Sequence, residues 1–434
     1  MTPQSHFTII ARLASVHEQA LRDLLATMNT APGVCDPHNA LVPFAQFKQL
    51  HVARFFVVDD PTLSDRAAYG VPPTNAQKYL IFLGDCDGPN ERFLRELATR
   101  AGDGLRKIFT HCEGFTGQTD LYTWLRANDQ PVAATYVNWV GRTVTQVLQE
   151  DALQRALTAQ LARMQRDHSA SHTPQQLRSE LVNFARAEIA AGRLMLTPTA
   201  PTPLLWWLRK LTHAIAVPLL GLAALPVLLL LSPILIYLLR SKEQHDPELA
   251  ARPSLDVIRA LQHHEDHDVT NQFSAVGTVK PGMFRRMTII VLLFGLDYAC
   301  RHIYTRGHLT RVQTIHFARW AFFDNGTRLI FASNYDGSLE AYMDDFINKV
   351  GWGLNLVFSN GMGYPHTDWL VMKGSRNEQR FKSYLRRHQL QTDVWYKAYP
   401  GLTAVDLARN GHIRAGMERG NARDHDALEW LRLL

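Results

Sequence analysis

The stretch DGPNERFLRELATRAGDGLRKIFTHCEGF, Asp87 to Phe115, aligns without a gap on DGSLEAYMDDFINKVGWGLNLVFSNGMGY, Asp336 to Tyr364, at a constant offset of 249 residues. Asp87/Asp336, Gly88/Gly337, Glu91/Glu340, Gly102/Gly351 and Gly104/Gly353 coincide, as do Phe109/Phe358 and Gly114/Gly363. A fixed-offset self-match of this kind is the mark of an internal repeat. Upstream, QLHVARFFVVDD (Gln49 to Asp60) pairs with TIHFARWAFFDN (Thr314 to Asn325) at offset 265. The change in offset places a longer hairpin loop in the first copy, where insertions are tolerated. Downstream, LYTWLRAND (Leu121 to Asp129) pairs with FKSYLRRHQ (Phe381 to Gln389) at offset 260, and Tyr136, Gly141 and Thr143 meet Tyr396, Gly401 and Thr403.

Each copy reads as the same series of elements. HFTIIARL is followed by the helical period of VHEQALRDLLATM, and NQFSAVGTV by MFRRMTIIVLLFGLDYACRHI. Aromatic and β-branched runs then form a hairpin, LHVARFFVV with KYLIFLGD and IHFARWAFF with RLIFASN. Asp-Gly opens a long amphipathic helix, a shorter helix follows, and each copy ends on a strand, VAATYVNWV or VWYKAY. The order β-α-β-β-α-(α)-β is ferredoxin-like. The expected fold is α+β: two tandem ferredoxin-like repeats, residues 1–150 and 271–410, closing a pseudo-symmetric α+β barrel.

The chain has 434 residues, 46 Lys+Arg against 40 Asp+Glu, 46% hydrophobic and 20% charged residues. That is globular composition with ample core, not a disordered chain or a disulfide-stapled miniprotein. The basic residues are scattered, which suits an anionic membrane surface and gives nucleic acid no groove. Cys35, Cys86, Cys112 and Cys300 have no ligand spacing, so a reducing compartment is expected. The start, MTPQSHFTIIARL, has no signal-peptide pattern.

Duplication and element order together resemble the dimeric α+β-barrel superfamily, whose two-unit members include the dye-decolourising peroxidases. The resemblance covers about half the chain. It implies two sheets packed around a lumen, a haem there, and a peroxidase-like oxidoreductase. GDCDG (Gly84 to Gly88) matches the GxxDG pattern of those peroxidases, in which the Asp lies over the haem and assists peroxide cleavage. The second copy, SNYDG, has Ser333 in place of the leading glycine.

Between the copies, Ala214 to Leu239 carries no charge over 26 residues. That exceeds what a spanning helix needs but falls short of two full spans. Arg209 and Lys210 before it and Arg240 and Lys242 after it leave no charge asymmetry, so both flanks are expected on the cytoplasmic side. A single span would also part the two copies. The segment 204–242 is therefore expected to be a re-entrant or monotopic hairpin around Leu229, bent at Pro218, Pro226 or Pro233, with Trp206 and Trp207 at the headgroup level. The apolar run Met287 to Leu296 is either a second bilayer contact or a core helix. Residues 151–203 read as a helical linker broken by the polar HSASHTP, 243–270 as a polar linker and 411–434 as a tail.

His51 and His316 recur at matched strand positions, with Arg54 and Arg319 three residues on. Strict strand alternation puts His and Arg on opposite faces, so only one of them can point into a lumen. An arginine there suits an oxyanion or a haem propionate, and a histidine suits haem ligation or acid–base work. The structural alternative is a strand residue satisfied by its neighbours. Asp87 and Asp336 are read first as caps of the helix each precedes. Should a peroxidase operate, the catalytic set is Arg319, His316 and Asp336 with mates Arg54, His51 and Asp87, and His316 and Arg319 hold the cofactor. HHEDHD (His263 to Asp268) fits neither HExxH nor HxxEH and is read as a solvated linker, so no metal site is expected. The function expected is a membrane-associated oxidoreductase, possible haem its cofactor, acting on a lipophilic molecule delivered with membrane lipid. The alternative is a non-catalytic membrane-bound lipid-binding or scaffolding protein, which a lumen filled with side chains would favour.

Overall fold

A computed structural model describes the chain except residues 61, 64, 73–76, 168–172, 250 and 420–423; most of the expected polar break HSASHTP lies outside the described residues. The protein is mixed α+β. Among the described residues, eight strands form two four-stranded antiparallel sheets: β1 (Gln4–Arg12), β2 (Leu50–Val58), β3 (Tyr79–Asp87), β4 (Ala134–Val137), β5 (Thr270–Thr278), β6 (Ile315–Phe323), β7 (Arg328–Asp336) and β8 (Val394–Lys397). One sheet runs β1-β3-β2-β8 and the other β5-β7-β6-β4.

Neither sheet is the product of one copy. β4, which ends the first repeat, pairs with β6 of the second, Ala134 opposite Trp320 and Tyr136 opposite Ala318. β8, which ends the second, pairs with β2 of the first, Val394 opposite Phe55 and Tyr396 opposite Ala53. This corrects the expectation that each repeat closes its own sheet. The two short strands are alike in sequence, ATYV and VWYK, and the two edges they join, β6 and β2, are alike as well, so composition alone does not choose between the pairings.

The faces follow from the residues. All nine positions of β2 are buried, as expected of a strand covered on both sides. Leu50, Ala53, Phe55 and Val57 pack outward under α2 (Asn90–Arg100) and α3 (Gly102–Phe109), while Phe56 and Val58 meet Ile81, Val276, Phe323 and Ile330 between the sheets. On the second sheet, Phe273, Trp320 and Phe331 pack outward with Ile289, Leu293 and Phe346 of α9 (Met283–His302) and α10 (Leu339–Phe358). α5 (Val144–Asp167) and α6 (Pro174–Ala190) join α12 (Ala404–Glu418) and α13 (Asp424–Leu431) around Leu157, Leu181, Ile413 and Trp430, so the expected linker and tail share a core. Helices α1 (Glu18–Ala26), α4 (Leu121–Asn128), α8 (Leu255–Gln262) and α11 (Glu378–His388) also belong to the body, with a single turn at Asp65–Ala68 and a short two-stranded hairpin pairing 367–368 with 372–373.

The expected hairpin is instead one helix, α7 (Leu204–His245), 42 residues containing Pro218, Pro226 and Pro233. A proline removes one backbone bond and kinks a helix, but reversing the chain needs a turn, and the leucine- and alanine-rich run between the prolines offers none. The most apolar 18-residue window of α7 has mean hydropathy 2.6 and none of it is buried, unlike a core helix. α7 touches the body at its ends. His213 stacks on Tyr298 and His302 of α9, and near the other end Glu243 is buried against residues 367–370. α9 buries Ile289 and Leu293 but exposes Met283, Met287, Val291 and Phe294 along its opposite face.

Candidate functional site

All six residues singled out from the sequence lie on or beside the surfaces where the two sheets meet. The opposite-face expectation for His and Arg is corrected by a β-bulge in each copy. Leu50 pairs with Cys86 and Val52 with Asp85, leaving His51 as the extra residue; Ile315 pairs with Tyr335 and Phe317 with Asn334, leaving His316 extra. A bulge restarts the alternation, so both histidines and both arginines face inward.

The arginines are crossed clamps between sheets. Arg54, on β2, donates from Nη1 to the Phe273 carbonyl at 2.9 Å and Ser274 Oγ at 3.0 Å, and from Nη2 to the Ser333 carbonyl at 2.9 Å and to Asn334 Oδ1. Arg319, on β6, makes the matched set: the Phe7 carbonyl at 2.7 Å, Thr8 Oγ1 at 3.2 Å, the Gly84 carbonyl at 3.0 Å and Asp85 Oδ2 at 2.5 Å. The symmetry breaks in charge, because Asp85 faces Arg319 where neutral Asn334 faces Arg54. Burial and the charge of Arg319 push Arg54 down to about 9, with Asp85 opposing. Burial raises the Asp85 carboxyl despite the neighbouring cations Arg319 and Arg54. Arg54 Nε has no hydrogen-bond partner among the described residues, and the guanidinium lies 5.0 Å from the Trp395 ring centre.

Each histidine is held by its Asp. His51 Nε2 lies 2.9 Å from Asp87 Oδ1, and its Nδ1 is 3.1 Å from the Tyr399 hydroxyl. His316 Nε2 lies 2.6 Å from Asp336 Oδ1, which also accepts from Thr270 Oγ1 at 2.7 Å. The second carboxylate oxygen of each Asp accepts the first backbone N–H of a helix: Val144 of α5 at 2.9 Å for Asp87, Ala404 of α12 at 2.7 Å for Asp336. The carboxylates thus do cap helices, but not the ones they precede in sequence. Among the described residues α2 has no side-chain cap, and α10 takes Ser338. The glycine after each Asp sits at positive φ, 77° for Gly88 and 85° for Gly337, as the turn requires. Burial would raise the Asp336 carboxyl, but the charge and hydrogen bond of His316 with the bonds from Thr270 and Ala404 hold it below the usual range.

Tyr399 stands between the imidazoles, 5.8 Å from His51 and 6.5 Å from His316 between ring centres. Its match at offset 260 is Trp139, which takes Arg142 on its ring face at 4.0 Å instead. Sequence reading missed Tyr399, Asp85 and Lys397, which donates to Thr270 Oγ1 and to the Leu402 carbonyl. Comparing YPGLT with WVGRT, and GDCDG with SNYDG, position by position would have found the first two.

A His–Asp pair can polarise an imidazole for proton transfer when a substrate reaches it. Here His51 is 2% and His316 3% exposed, and the space beside them, lined by Asn138, Trp139, Phe317 and Tyr399, is about 20 Å³, room for a water. A haem does not fit these residues. The inter-sheet region is packed with Phe56, Ile81, Phe323, Ile330 and the two arginines, and a carboxylate holds Nε2 of each imidazole. An apolar void of about 30 Å³ between β5, α9, α10 and α11 is likewise smaller than a lipophilic substrate. Of HHEDHD, Glu265 is tied to Arg386 at 2.9 Å and His267 Nε2 to the His263 carbonyl at 3.0 Å; among the described residues no group of His, Cys, Asp or Glu is arranged to hold a metal. No family model matches this chain, and neither a curated protein nor a solved structure matches it.

Proposed function

We propose that this protein is a non-catalytic membrane-surface scaffold: a strand-exchanged pair of ferredoxin-like units, joined sheet to sheet in a filled barrel, carried on one face of the cytoplasmic membrane by α7. One observation carries the reading. An exposed, uncharged 26-residue run lies on a helix whose flanking chain segments interleave in the same two sheets. A simple span would put β4 and its partner β6 on opposite sides of the bilayer, and likewise β2 and β8. α7 is apolar around its whole girth, so it immerses in hydrocarbon rather than floating at the interface as an amphipathic helix does.

The ends of α7 suit the headgroup layer. Trp207 is exposed, Lys210 lies over the Trp206 ring at 5.2 Å, and Arg240 lies over Trp369 at 4.9 Å. The crossed arginines and the Asp-capped helices act as locks that hold the exchanged strands in place. The expected peroxidase activity finds no room for its cofactor between the sheets, which favours the scaffold. Flotation of the purified protein with lipid vesicles, with a haem-extraction assay on the same sample, tests the reading. Co-flotation without stoichiometric haem supports it, and a stoichiometric Soret band overturns it.

A further inference from the structure

We infer that α7 is not the only bilayer contact, and that the hairpin at 367–373 together with the outer face of α9 forms a second one, seating the body flat on the lipid surface. This rests on the membrane reading of α7 and adds where else the bilayer touches. The hairpin is built rather than loose. The buried Glu243 carboxylate, in the last turns of α7, accepts from Thr367 Oγ1 at 3.0 Å, the Trp369 N–H at 3.0 Å and the Leu370 N–H at 2.8 Å, and pairs with Arg240 at 2.5 Å. Trp369, Leu370 and Lys373 are held at φ of 55°, 61° and 59°, a conformation that disfavours such side chains and persists only where the surroundings enforce it.

The product of that strain is a tip presenting Trp369, Val371 and Met372 to the outside, 47%, 36% and 43% exposed. Strained backbone spent on exposing apolar side chains calls for an apolar occupant. The occupant is the bilayer rather than a protein groove, because the patch is continuous with α7. The hairpin is bonded to its C-terminal end, and α9, with Met283, Met287, Val291 and Phe294 exposed, is joined to its N-terminal part by the His213–His302 contact at 2.9 Å. Tryptophan with an arginine on its face, beside Lys373 paired to Asp368 at 2.6 Å, suits the headgroup boundary. At the hairpin itself Arg240 and Lys373 are paired with Glu243 and Asp368, so the apolar tip, Trp369, Val371 and Met372, is what it offers the acyl region.

The test places one fluorophore at a time on cysteine, in a Cys35→Ser background, at Leu229→Cys, Val291→Cys and Val371→Cys. Each full-length protein is mixed with phosphatidylcholine vesicles whose acyl chains carry nitroxide quenchers. The expected result is quenching at all three positions, with the loss of emission at Val371 and Val291 comparable to that at Leu229. Quenching at Leu229 alone overturns this inference and leaves the α7 reading standing. Quenching at none overturns both. Blue-shifted emission at Val371 or Val291 that lipid nitroxides do not touch shows cover by protein and overturns the second contact.

Discussion

Leu229→Asp places a carboxylate in the middle of the apolar run. Leu229 is 63% exposed, so the folded body loses little by the change, within about 0.5 kcal/mol for a surface site. The cost falls on lipid attachment. On the insertion scale a leucine contributes about −0.5 and an aspartate about +3.5 kcal/mol, a difference near 4 kcal/mol and close to three decades in partitioning. Thirteen Leu, Ile and Val side chains between Ile215 and Ile236 are exposed. At about 1 kcal/mol for each half-exposed side chain, their immersion drives attachment by something on the order of 10 kcal/mol. The variant therefore still binds at high lipid, and the assay must be a titration: the lipid concentration giving half flotation rises by two to three decades. Leu428→Asp, an exposed leucine on α13, controls for surface charge and moves it little. A shift at Leu229 no greater than at Leu428 refutes the immersion of α7.

Four further outcomes follow from the clamps and caps. Arg319→Met strands the buried Asp85 and costs about 3–5 kcal/mol of stability by denaturant titration, whereas Arg54→Met, facing neutral Asn334, costs clearly less; equal costs would show that the charge asymmetry is irrelevant. Tyr399→Phe removes the hydroxyl beside His51 Nδ1 and costs on the order of 1 kcal/mol, read as a small drop in Tm. Burial holds Lys397 down to about 8, against about 10.4 in the unfolded chain, so between pH 8 and 10 the unfolded state binds more protons and this group makes stability rise with pH. Lys397→Met lowers that slope, measured as Tm against pH, and an unchanged slope would contradict the assignment. Asp336 has its pKa lowered, so its contribution is fully present above about pH 4 and is lost as pH falls through the folded value; the stability that Asp336→Asn loses at pH 7 therefore shrinks progressively as the pH is taken below about 4.

The sequence made the repeated positions plain because each match carries its own physical need. Gly88 and Gly337 both occupy a left-handed turn, and Arg54 and Arg319 both reach across to the facing sheet. It also showed the uncharged run of α7. What it hid depends on pairing partners. The exchange of β4 and β8 was invisible because Tyr136 and Tyr396 suit either edge. The bulges at His51 and His316 were invisible because one extra residue changes which face follows without changing composition. The Asp caps were misplaced for a related reason: Asp87 reaches Val144, 57 residues on, through a contact that only the fold creates.

Both flanks of α7 are proposed to lie on one side of the membrane. Ala200→Cys, just before α7, and Gln244→Cys, in its last turn, each in a Cys35→Ser background, bracket the apolar run at exposed positions. Labelling with a membrane-impermeant maleimide, in intact and in inverted vesicles, reads the side of each. Both cysteines are expected to react only in inverted vesicles, where the cytoplasmic face is outward. Opposite labelling of the two would contradict it.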